Sequence, residues 1–167
     1  GLTILDRLDL SHNPTQDLTP IAALANLTDL NLAGTSIKEL KPLRRMTKLM
    51  KLSISSVSTV TDFSPLGTLT KLTSLELDRC AISAADLMSM SGLSKLRWLS
   101  LAGNEISDIN ALSSFANLTY LGLGKNRISD LIPLEGMAEL AELYLYNNRI
   151  YINKYIQSCQ LTKSINL

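Results

Sequence analysis

Few residues in this 167-residue chain could do covalent or metal chemistry: a single histidine, His12, and two cysteines, Cys80 and Cys159. A structural zinc site of cysteine and histidine needs about four ligands, and these residues cannot supply them. A serine or cysteine triad would have to use His12 as its base, with Asp9 on the same strand to orient the imidazole, and no nucleophile can be named beside them. Gly122-Leu123-Gly124-Lys125 hints at a phosphate loop, but that loop needs GxxxxGK followed by Ser or Thr between a strand and a helix. Here Asn126 follows and the glycines flank a periodic leucine. Asn26-Leu27-Thr28 and Asn117-Leu118-Thr119 match the glycosylation acceptor, and they equally match a phrase that recurs through the chain. Sixteen basic and fifteen acidic side chains leave a net charge of +1, which argues against bulk electrostatic binding of nucleic acid or anionic membranes. No segment approaches the roughly 20 apolar residues of a membrane span. Catalytic residues, metal ligands and cofactors are all expected to be absent. The expected partner is a protein, with no nucleic acid and no membrane insertion, and the chain is read as a monomer.

What must position any functional side chain is a repeat. Leucine is 34 of 167 residues, and the triplet Leu-x-x-Leu-x-Leu recurs from Leu5, Leu27, Leu49 (with Ile54 in its last place), Leu72, Leu96, Leu118 and Leu140, at steps of 22, 22, 23, 24, 22 and 22. Three residues after each triplet comes a small or polar residue: Asn13, Thr35, Val57, Cys80, Asn104, Asn126 and Asn148. Apolar residues at steps of three follow, such as Leu40, Leu43, Met46 and Ile109, Leu112, Phe115. Pro20, Pro42, Pro65 and Pro133 occupy one equivalent place among them.

Alternation in the Leu-x-Leu core predicts a short strand with leucines inward. The step of three on the return leg predicts 3₁₀ turns, and proline there disfavours a long α-helix. One coil cannot bury its own leucines but a stack can, so the units predict a parallel-sheet solenoid with the asparagine column bonding backbone groups at each turn. Cys80 and Cys159 then lie three or more ladders apart, roughly 15 Å at about 4.8 Å per ladder. That exceeds the approximately 7 Å reach of a disulfide, so both are read as buried free thiols.

These phrases, NLTDLNLAGTSIKELKPL and NLTYLGLGKNRISDLIPLEGM among them, resemble leucine-rich-repeat proteins of the 22-residue class, which includes bacterial internalin-type surface proteins and the leucine-rich regulator of type-1 protein phosphatase. The resemblance covers Leu5 to about Ile150 and implies an α/β solenoid, a horseshoe or arc with the parallel sheet on its concave face and 3₁₀ or short helical legs on its convex face. Repeat four, LTSLELDRCAISAADLMSMSGL, is similar instead to the cysteine-containing repeat class, and Ser83 with Ala84, Ala85, Leu87, Met90 and Leu93 predicts a short helix. Residues 1–167 are read as one domain of about seven repeats with a degenerate last repeat over 151–167, where Tyr155 and Ile156 turn inward and Ile165-Asn166-Leu167 resembles an eighth strand core. The domain is expected to be part of a longer chain. The resemblance further implies a non-catalytic protein-recognition module, with a bacterial surface or secreted adhesion-type protein favoured. The alternative is an intracellular regulatory scaffold docking on an enzyme such as a phosphatase or GTPase, and an enzyme centred on His12 is the third class.

Function is expected on the outward strand positions. In the first three repeats these are Arg7, Asp9, Ser11, Asp29, Asn31, Ala33, Lys51, Ser53 and Ser55, small and polar. The later ones are Ser74, Glu76, Asp78, Trp98, Ser100, Ala102, Tyr120, Gly122, Gly124, Glu142, Tyr144 and Tyr146. Trp98 and Tyr120 share a column on adjacent strands, and Gly122 and Gly124 are expected to leave a shallow trough before Tyr144 and Tyr146. With Glu76, Asp78, Arg79 and Lys125 around them, these aromatics have the composition of interface anchors.

Overall fold

The computed structural model describes residues 2–151 and the backbone of 165–166. The strands are β1 (Arg7–Asp9), β2 (Asp29–Asn31), β3 (Lys51–Ser53), β4 (Ser74–Glu76), β5 (Trp98–Ser100), β6 (Tyr120–Gly122), β7 (Glu142–Tyr144) and β8 (Ile165–Asn166). They pair in parallel in sequence order, in one open sheet. Each repeat step is one rung: Leu30 pairs with Leu8 and Leu52, and Leu99 with Leu75 and Leu121. The column's inward leucines are buried from Leu27 through Leu145 and only partly covered at Leu5, Leu8 and Leu10. The aliphatic core is therefore shared between coils, as a solenoid requires.

The return legs are 3₁₀ turns at Thr19–Ile21, Lys41–Arg45, Ser64–Thr68, Asn110–Ser114 and Ile132–Leu134. Four of them begin with proline at the first or second position, where its fixed φ suits the turn and its missing N–H costs nothing. A second device went unread in the sequence. Asp17, Asp62, Asp108 and Asp130 each accept the backbone N–H two residues on, at 2.8–3.0 Å, and so start a leg. Among the described residues, repeat four alone forms an α-helix, α1 (Ala84–Ser89). Ser83 caps it by accepting Asp86 N–H while the Asp86 carboxylate accepts Ser83 N–H, and Leu87, Met90 and Leu93 are buried beneath it.

The asparagine column does bond the open backbone. Asn104 Oδ1 accepts Cys80 N–H at 2.8 Å and Ile82 N–H at 3.2 Å, while its Nδ2 donates to Leu77 and Leu101 carbonyls at 2.8 Å. Asn126 does the same for Asn104, Ile106, Leu101 and Leu123, and Asn148 serves Ile128, Leu123 and Leu145. One position before this column the chain turns through positive φ in each of the seven described repeats, at His12, Gly34, Ser56, Arg79, Gly103, Lys125 and Asn147. The N–H of that residue reaches the next coil, as in Arg79 to Ala102 O at 2.8 Å, so the ladder runs past the strand ends.

The eighth strand forms where Ile165 and Asn166 pair with Leu143 and Tyr144. Tyr155, Ile156, Cys159 and most of the degenerate repeat lie outside the described residues.

Candidate functional site

The parallel register stacks outward positions into columns, and one column brings Trp98 beside Tyr120. Their rings stack at 4.6 Å between centroids with 11° between planes. Tyr144 stands one column over, yet its ring leans to within 5.3 Å of Tyr120 at 38°. Three strands thus carry a continuous row of rings, a geometry that adds roughly 0.5–1.5 kcal/mol per pair beyond burial. The expected trough at Gly122 and Gly124 is not empty. A Cβ on Gly122 would press on Ser100 Oγ at 2.9 Å and touch the edge of the Tyr120 ring at 3.5 Å, and a Cβ on Gly124 would collide with the Tyr146 ring. Glycine at 124 leaves the room that the Tyr146 ring takes.

Carboxylates frame the row. Asp78 Oδ1 accepts Ser100 Oγ–H at 2.6 Å and Ala102 N–H at 2.8 Å, which fixes it beside β5. Glu142, paired in register with Tyr120, accepts the Tyr144 hydroxyl at 3.1 Å. Burial pushes the Tyr120 phenol above its ordinary pKa, and the neighbouring Tyr144, Asp78 and Glu142 push it the same way. The bond to Glu142 raises Tyr144 likewise. Both rings therefore stay neutral donors across the physiological range.

A groove of about 590 Å³ runs over β1–β4, lined by Arg7, Asp9, Asp29, Asn31, Lys51, Ser53, Ser74 and Glu76, with Trp98 at its end. Arg7 and Lys51 both approach Asp29, at 4.0 and 3.9 Å. Nothing in the one-dimensional pattern marked this groove, because it is bounded by side chains from five adjacent coils.

The remaining candidates are placed elsewhere. Arg79 sits on the turn column, where Nε donates to Ser56 Oγ at 3.1 Å and its stem rests on Gly103. Lys125 occupies the same column, exposed, its N–H on Tyr146 O. His12 lies over Gly34, with Nδ1 2.6 Å from where a Cβ would stand. The Asp9 carboxylate takes Ser11 N–H and Asn31 Nδ2–H, and its pKa is held below the usual range by the Ser11 hydroxyl first, then by Ser11 N–H and Asn31. Cys80 is buried, with Sγ donating to Ile54 O at 3.2 Å, and burial pushes its thiol up. Both acceptor-type asparagines spend their amide nitrogen on the preceding coil, Asn26 on Thr3 O at 2.7 Å and Asn117 on Ser94 O at 2.8 Å. Among the described residues, no cluster of three or more His, Cys, Asp or Glu could hold a metal ion.

Known proteins agree with this geometry. A family model described as leucine rich repeat matches residues 70–128. The structure of internalin C2 from Listeria monocytogenes superposes with a TM-score of 0.86 at 30% identity, covering 99% of this chain and 73% of that one. A second L. monocytogenes internalin, InlF, gives 0.68 at 26% identity, covering 99% of this chain and 62% of that one. A leucine-rich-repeat protein of Leptospira interrogans shares the fold alone, with a TM-score of 0.73 at 20% identity over 99% of this chain and 50% of its own. No curated protein matches the sequence. With a leucine on each rung from β1 to β7, an asparagine ladder at the later turns and 99% of its length matched to an internalin at 30% identity, the chain belongs to the leucine-rich-repeat family.

Proposed function

We propose that this chain is a non-catalytic recognition module that binds a protein partner on its concave sheet, chiefly over β4–β7, and that it works in a bacterial surface or secreted protein. The observation that carries the docking reading is the row of Trp98, Tyr120 and Tyr144, three large rings side by side on an open sheet face. Such rings are rigid, amphipathic and cheap to immobilise, which is why aromatic anchors dominate interface energies. The bacterial assignment draws support from the likeness to the Listeria internalins. Against the His12 alternative, the Asp9 carboxylate accepts Ser11 N–H and Asn31 Nδ2–H.

The test pairs capture with mutation. Cross-link mapping of a partner captured by the intact chain is expected to return β4–β7 residues. The double variant W98A/Y120A is expected to weaken that partner by at least about 2 kcal/mol, roughly 30-fold, while its far-ultraviolet circular dichroism is retained. Unchanged affinity would remove the ring row from the interface.

A further inference from the structure

We infer that the partner inserts an arginine side chain over Ser74, its guanidinium stacked on the open side of Trp98 and paired with Glu76; this rests on the docking reading above and names its chemistry. Charge is distributed unevenly along the sheet. The outward positions of β4–β7 and their continuations include Glu76, Asp78 and Glu142 and no base, whereas β1–β3 carry both signs. The groove's own cations, Arg7 and Lys51, both lie nearest to Asp29, at 4.0 and 3.9 Å. Two of the three carboxylates are committed, Asp78 to Ser100 and Ala102 and Glu142 to Tyr144. Glu76 makes no ion pair among the described residues, and it shares the groove wall with Trp98.

Trp98 has one ring face on Tyr120 and borders the groove on its other side. Its register neighbour there is Ser74, a small side chain that lines the groove between Trp98 and Lys51. A planar cation suits such a groove better than a compact one. Guanidinium stacks on indole, sheds water readily and reaches a carboxylate with its fork of donors, while ammonium is a strongly hydrated point charge.

Trp98 is the only tryptophan, so its fluorescence reports this position directly. The full chain would be titrated with acetyl-Gly-Arg-Gly-Arg-Gly-amide and with the same peptide carrying citrulline, which keeps the planar shape and loses the charge. A saturable change in Trp98 emission is expected, with the arginine peptide binding at least about fivefold more tightly. In Glu76→Gln that preference is expected to shrink to about twofold or less, with circular dichroism unchanged. A silent Trp98, equal affinity for the two peptides, or a preference that survives in E76Q would each overturn the inference. The captured partner separates the two readings. Retention by W98A/Y120A defeats the docking site itself, whereas loss by W98A/Y120A with full binding by E76Q defeats only the arginine.

Discussion

The two ends of the sheet are built differently, at the surface and beneath it. From β1 to β3 the outward face carries paired charges and small polar groups, and the turn column reads Asn13, Thr35, Val57. Thr35 there bonds only its own coil, through Leu32 O at 2.6 Å. From β5 onward the face carries rings, and the same column reads Asn104, Asn126, Asn148, each bonded to the coil before it. The ring row thus stands on the part of the solenoid whose coils are most tightly cross-bonded. A docking surface gains from such support, because rings already held in place lose less freedom on binding.

The strongest way to sharpen that contrast is at the turns. Asn104→Ala leaves Cys80 N–H, Ile82 N–H and Leu77 C=O without their partner in a dry setting, at about 1–3 kcal/mol each. A loss of about 3–5 kcal/mol in denaturant unfolding is expected. Thr35→Val removes one bond to a carbonyl that keeps Thr35 N–H, and is expected to cost about 1 kcal/mol or less. Equal losses would erase the difference between the halves.

A smaller effect is expected from pH. All five tyrosines lie at or beyond Tyr120, so phenol titration reports the aromatic half alone. The folded pKa values of Tyr120 and Tyr144 are raised, so their contribution to stability is whole below the ordinary phenol pKa and is lost as pH rises through the folded values. Phenolate absorbance is expected to show two groups ionising late, and Trp98→Ala should bring Tyr120 back toward the ordinary value. The smallest effect belongs to Gly124→Ala. Its new methyl meets the exposed Tyr146 ring rather than backbone, so the ring is expected to swing away at a cost of about 1 kcal/mol or less, read by thermal unfolding.

The fold was legible because every coil repeats the same demand. Leucines two apart must face inward, prolines block helix, and Ser83 ahead of two alanines announces α1. The Trp98–Tyr120 pairing was legible for the same reason, since register follows from the period. The positive-φ column was not, because His, Gly, Ser, Arg, Lys and Asn share no property that marks it, and only the repeat geometry compels the turn. Nor was the filling of the space over Gly122 by Ser100 and Tyr120 and over Gly124 by Tyr146, which depends on how side chains lean rather than on where they are rooted. The approach of Arg7 and Lys51 to Asp29 likewise needs three adjacent coils in view.

The most direct measurement is hydroxyl-radical footprinting of the chain alone and with its captured partner. Met88, 65% exposed on α1, serves as an internal standard away from the sheet. Oxidation of Trp98, Tyr144 and Tyr146 is expected to fall at least about fivefold in the complex with Met88 unchanged, in line with burial at an interface core. Protection of Met88 with the rings still oxidised would place the partner on the convex side and contradict the account.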